Sequence, residues 1–116
     1  MSRDGESTIR AMKLTGVLLS GLLAASPALA GDAAAGKKIA TEVCAACHGP
    51  EGKSENPQFP ILAGQYKEYI QHSLEGYKSG KRQNAIMQGF AANLSAKDIA
   101  NLAAFYSQQQ GLHTKY

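Results

Sequence analysis

This chain of 116 residues has no apolar run long enough to cross a bilayer, no second cysteine pair and no cluster of basic residues. Its longest apolar stretch, residues 14–25, falls short of the roughly 20 residues that a transmembrane helix needs. With two cysteines in all, a structural zinc site, which takes about four ligands, has too few. The formal net charge is only +3 and no Lys/Arg-rich run is present, which argues against nucleic acid as a partner. No alternating apolar and polar pattern marks a strand, and no repeat or low-complexity segment is visible. These absences leave one small helical domain.

The N-terminus reads as an export leader. Met12-Lys13 is short and positive, residues 14–25 are mostly apolar, and Ala28-Leu29-Ala30 offers the small-x-small pattern of a signal-peptidase site. The expected division is therefore 1–30 as N-terminal extension and cleaved signal peptide and 31–116 as the working domain, placed in the periplasm. A membrane anchor made by an uncleaved N-terminus is the alternative. Residues 1–11 are polar, so translation from Met12 competes with translation from Met1. Residues 31–116 carry nine Lys and Arg against seven Asp and Glu. A domain this small has a marginal core and commonly needs a staple.

Three helices are expected. The first starts at Asp32, a good N-cap, and runs toward Val43 with Gly36, Ile39, Ala40 and Val43 at helical spacing. The second covers about 65–77 with the stripe Tyr66, Tyr69, Ile70, Leu74 and Tyr77, and Gly80 follows shortly after its end. The third opens on Ser95 with Asp98 three residues on, resembling a capping box, and Ile99, Leu102, Ala103 and Tyr106 share one face before Gly111. The stretches 49–60 and 79–94 read as irregular. Long loops in an all-helical domain call for something to fill its middle.

Cys44-Ala45-Ala46-Cys47-His48 suggests what fills it. This spacing reads as the covalent attachment site of a c-type haem, with Cys44 and Cys47 forming thioethers and His48 binding the iron. Thioredoxin-like Cys-x-x-Cys sites are the rival, and they need a βαβ context that the chain lacks. In an oxidising compartment two free cysteines would form a disulfide, and thioether formation removes them from that competition.

A sixth ligand follows from elimination. Met1 and Met12 precede the cleavage pattern, so Met87 is the single methionine of 31–116. It lies in the irregular stretch near Gly89, off any apolar helical stripe. A lone methionine is commonly a core filler, but a thioether opposite histidine raises the reduction potential of a haem and suits electron transfer. His72, off the stripe of the second helix and expected to be solvated, and His113, in the tail, are the alternatives.

The ordered set Val43-Cys44-Ala45-Ala46-Cys47-His48-Gly49, Pro60-Ile61-Leu62-Ala63-Gly64-Gln65, Ile86-Met87 and Leu94-Ser95 to Tyr106-Ser107 resembles the class I cytochromes c, in particular short monohaem periplasmic members and single domains of bacterial di-haem members. The resemblance implies an all-α class I cytochrome c fold, three main helices and long loops wrapped around one covalently bound haem c. It implies that the Pro60 carbonyl fixes the His48 ring, that Leu62 packs on the haem, and that the first and last helices cross at Gly36 against Phe105 or Tyr106. It leaves Tyr66, Arg82 and Asn84 as residues within possible reach of the propionates or of the Met87 stretch.

The function implied is a one-electron carrier and not an enzyme, working between redox partner proteins such as a cytochrome reductase, an oxidase or a periplasmic dehydrogenase or reductase, with no nucleic acid and no stable membrane insertion after signal cleavage. Lys78, Lys81 and Arg82, with Lys53, would steer acidic partners if they surround the haem edge, or else form an ordinary solvated surface. The competing readings are a haem subunit permanently bound to a larger periplasmic or membrane oxidoreductase, and a haem enzyme or gas sensor with an open sixth position.

Overall fold

A computed structural model describes residues 30–111, together with Gly16 and Gly21. Met1, Met12, His113 and all of the expected leader except Gly16, Gly21 and Ala30 lie outside the described residues. All described secondary structure is helical, as expected for the fold class, and among the described residues no helix is long and apolar enough to cross a membrane. The elements in chain order are α1 (Ala33–Ile39), a π-helical turn (Ala40–Cys44), α2 (Ala45–His48), a 3-10 turn (Pro50–Gly52), α3 (Lys67–Ser79), α4 (Ala85–Ala91) and α5 (Ala96–Ser107).

Helix α1 begins where the sequence places it. Asp32 caps it by accepting from the amides of Ala34 and Ala35. The helical path does not stop at Val43, however. It continues through the π turn into α2 and ends at His48, so the attachment motif is itself helical.

The core forms where α1 and α3 pack on α5. Helix α5 buries every residue from Ile99 to Tyr106, and Ala40, Ile70, Leu102, Ala103, Phe105 and Tyr106 make one cluster. The α1–α5 crossing is very close. A Cβ on Gly36 would lie 2.0 Å from the Asn101 carbonyl oxygen and 2.9 Å from the Phe105 Cβ, so only glycine fits. The buried Asn101 side chain accepts from the Asp32 amide at 2.8 Å, tying the start of α1 to the middle of α5.

The capping box of α5 is complete. Ser95 Oγ accepts from the Asp98 amide and Asp98 Oδ2 accepts from the Ser95 amide, each at 3.0 Å. Ser95→Ala is expected to lower stability by about 1 kcal/mol, the usual value of an N-cap. The midpoint of a urea or thermal unfolding curve checks it, and an unchanged midpoint would show that α5 does not depend on this cap.

Three sequence expectations change. Helix α5 ends at Ser107 with Gln108 as its cap, and Gly111 packs beyond it against Ala63. The α3 stripe is only partly buried: Ile70 is in the core and Leu74 packs against it, whereas Tyr66 and Tyr69 are exposed. Met87 is not in a loop. Asn84 accepts from the Met87 amide at 3.1 Å and opens the short helix α4, which sequence periodicity missed because seven residues with Gly89 among them are too few to show a helical period.

Candidate functional site

The site is assembled from the end of the α1–α2 path, the loop that follows it, and α4. Cys44, Cys47 and His48 stand three and four residues apart on helical backbone, which places them on one face. Both cysteines are half-buried and neither is in a disulfide; His48 is buried, at 7 % exposure.

The orientation of His48 is set by a backbone contact. Its Nδ1 lies 2.9 Å from the Pro60 carbonyl oxygen. A carbonyl only accepts, so Nδ1 carries a proton, and in the neutral imidazole this tautomer leaves the lone pair on Nε2. The Phe59 ring stands edge-on to the imidazole at a centroid distance of 6.3 Å. The arrangement is that of a metal-ligating histidine whose second nitrogen is held by the protein.

The loop that presents Pro60 is fastened from two sides. The Gly52 carbonyl accepts from the amides of Leu62 and Ala63, at 2.9 and 3.2 Å, and the Gly64 amide donates to the Tyr106 carbonyl at 2.9 Å. Gly52 has φ +76°, and a Cβ there would meet Tyr106 Cδ1 at 2.8 Å. The 3-10 turn after His48 thus lies directly against α5, and residues 60–64 follow it. Leu62 is half-buried and packs on the core cluster.

Tyr106 and Cys44 meet at the floor of the site. The Tyr106 hydroxyl is buried without a hydrogen-bond partner. The Cys44 thiol is close enough to couple to it electrostatically without offering hydrogen-bond geometry. Burial, and then Cys44, push the Tyr106 hydroxyl far up from its ordinary value; burial also pushes the Cys44 thiol up, with Tyr106 opposing. Both groups therefore stay protonated at neutral pH.

Met87 is half-buried on α4. Its neighbour Ile86 and the neighbour of Cys44, Val43, line the same cavity of about 540 Å³, with Ile39, Phe90 and Leu94. That volume falls in the roughly 300–1,000 Å³ range of cofactor sites. Val43, Ile86 and Phe90 are 39, 58 and 46 % exposed, an apolar wall over which no other described residue is laid.

The remaining sequence candidates are placed elsewhere. His72 is exposed on α3. Arg82 lies over the Tyr77 and Tyr69 rings, and Asn84 caps α4. Lys78 donates to the Leu94 carbonyl, and Lys53 pairs with Glu51 at 3.2 Å, which leaves the basic group partly engaged within the chain. No cluster of three or more His, Cys, Asp or Glu occurs among the described residues. Sequence reasoning missed Gly52 and the orphan Tyr106 hydroxyl, because the contacts of each with the other segment, Gly52 with Tyr106 and Tyr106 with Cys44, join residues more than 50 positions apart.

The family model for cytochrome c matches residues 33–110. The chain is 47 % identical over 81 residues to cytochrome c4 of Pseudomonas aeruginosa, covering 70 % of this chain and 40 % of that one. It is 46 % identical over 85 residues to cytochrome c-554(548) of Halomonas halodenitrificans, covering 70 % of this chain and all of that one. The crystal structure of reduced recombinant cytochrome c4 from Pseudomonas stutzeri superimposes with a TM-score of 0.65 at 40 % identity, over 72 % of this chain and 48 % of that one. The chain thus spans less than half the length of the cytochrome c4 relatives and the full length of a shorter one.

Proposed function

The chain belongs to the cytochrome c family, and from that premise we propose that it is a periplasmic one-electron carrier, exported by residues 1–30 and working as the domain 31–116. Members of the family bind a covalently attached haem c, and the arrangement of Cys44, Cys47 and His48 is present here. The residues fit that group. A buried imidazole with a free Nε2, two thiols on the same helical face and an apolar wall of cofactor size are the donors and surroundings that it needs.

Each residue has a part in this reading. Cys44 and Cys47 supply the thioether sulfurs, and His48 presents Nε2 to the iron while Pro60 holds the ring. Leu62 and the Val43, Ile86 and Phe90 wall exclude water. Met87, on α4, would be the second protein ligand to the iron. When bound, the haem supplies an iron that changes between ferric and ferrous states with little rearrangement of its ligands. A ring fixed by a backbone carbonyl would need little rearrangement as an iron bound to it changed state, which would favour fast exchange with reductase, oxidase or dehydrogenase partners. The reading assigns no substrate chemistry to the chain.

The hydrogen bond between His48 and Pro60 carries this reading. The optical spectrum of the matured ferric protein tests it. A covalent haem with the weak far-red band of methionine sulfur on ferric iron is expected. A covalent haem without that band would remove Met87 as ligand and favour a sensor or enzyme, and no haem after co-expression with a maturation system would overturn the assignment.

The exposure of Ile86 and Phe90 favours one second reading, a haem subunit held permanently in a larger oxidoreductase. Co-purification from the native membrane at high salt would support that reading, and a free monomer would support the carrier.

A further inference from the structure

Helix α4 is a seven-residue helix that packs chiefly on α3, and its position decides where Met87 sits. An isolated helix of this length has no stability of its own, so something must hold it. Asn84 caps it from within the same segment and fixes only its start relative to residues 84–87.

The tie to the rest of the protein runs through Arg82. Gly80 ends α3 in the left-handed conformation, at φ +81°, and turns the chain back along the helix it has just left. The Arg82 amide then donates to the Gly76 carbonyl at 3.0 Å. The guanidinium lies 5.0 Å from the Tyr77 ring centroid and 5.9 Å from that of Tyr69. Its Nη1 donates to Ser73 Oγ at 3.1 Å and to the Tyr69 hydroxyl at 3.4 Å. One side chain thus engages three residues on consecutive turns of α3, two residues before the Asn84 cap. At the other end of α4, Lys78 reaches across to the Leu94 carbonyl.

We propose that Arg82 is a positioning residue for the sixth iron ligand: by clamping residues 80–84 onto Ser73, Tyr69 and Tyr77 it holds α4 on α3 and keeps Met87 in place. The inference rests on the assignment of Met87 as axial ligand. Its chemistry suits arginine and not lysine, since a planar guanidinium stacks on a ring while its edge donates hydrogen bonds. The site is open to solvent, so the clamp is modest and adjustable. It governs how often Met87 leaves the iron more than whether the protein folds.

Ligand competition reads this directly. An exogenous base such as imidazole binds the haem iron only when Met87 is off, so its apparent affinity scales with the fraction of open protein. In holoprotein, Arg82→Gln is expected to raise imidazole affinity by about fivefold, the combined worth of an exposed cation–π contact and a hydrogen bond. Tyr77→Leu should act in the same direction but more weakly, since Ser73 and Tyr69 still hold the guanidinium, and the double variant should add little to Arg82→Gln alone. Lys81→Gln, which removes a neighbouring charge and leaves the bond from the residue 81 amide to Ser79 Oγ in place, should leave the affinity unchanged.

Several results would overturn the clamp. Unchanged imidazole affinity in Arg82→Gln, even with a lowered melting temperature, would make Arg82 merely structural. An effect in Arg82→Gln but none in Tyr77→Leu would move Arg82 from α3 to the haem itself. An equal effect in Lys81→Gln would reduce the role to local charge. If the wild-type ferric protein lacks the sulfur band, the axial assignment fails and takes the clamp with it, whereas a normal band with unmoved affinities defeats the clamp alone.

Discussion

Gly36→Ala is expected to destabilise the haem-loaded protein by about 3 kcal/mol, the upper end of overpacking costs, and to lower its melting temperature by roughly 12–24 °C at this domain size. The reason is geometric. The added methyl would sit 2.0 Å from a backbone oxygen of α5 and 2.9 Å from the Phe105 Cβ, and neither is the free end of a flexible side chain. Relief requires α1 to move away from α5. That movement would pull Asp32 from its hydrogen bond to Asn101 and carry the π turn and both cysteines with it. The site is mounted on the helix that this crossing positions, so part of the loss should appear as poorer haem incorporation. Lys97→Ala, on the exposed first turn of α5, is the control and should be nearly neutral. Similar melting temperatures for the two variants would show that the α1–α5 crossing can loosen at little cost.

Met87→Ala is expected to have the largest effect on redox behaviour. Loss of the thioether should abolish the far-red sulfur band and lower the midpoint potential by on the order of 0.1–0.3 V, within the ~0.8 V range that axial ligands cover. Sulfur is a soft donor that favours ferrous over ferric iron, so its replacement by water or by an external base shifts the balance toward ferric. The cost in folding should be smaller than that of a core deletion. Met87 is only half-buried, on a helix outside the α1–α3–α5 core, so about 1–2 kcal/mol is expected, below the values of fully buried methionine. Spectroelectrochemical titration and denaturant unfolding of the same preparation separate the two effects. An unaltered spectrum would exclude Met87 as a ligand. Exposed His72 on α3 would then be the remaining sequence candidate among the described residues.

The features legible in the sequence share a short range. The capping box of Ser95 and Asp98, the cap at Asp32 and the buried stripe of α5 all follow from residues within two turns of one another, where spacing alone decides which groups can meet. The Cys44, Cys47 and His48 spacing is local in the same sense. Gly36 was also legible, as a small residue on an otherwise apolar face.

The tertiary structure decided the rest. The π turn that carries helical backbone through the attachment motif leaves no mark in composition. Helix α4 hid behind Gly89, because its stability comes from α3 and not from its own periodicity. The tyrosines of α3, which sequence placed on a buried stripe, divide instead between solvent and the Arg82 guanidinium. The identity of the group that the chain holds was written in five consecutive residues, since covalent attachment needs its atoms at fixed short spacing. How firmly the two proposed iron ligands are held was not, because those constraints come from a carbonyl 12 residues from His48 and from a helix that only its neighbours stabilise.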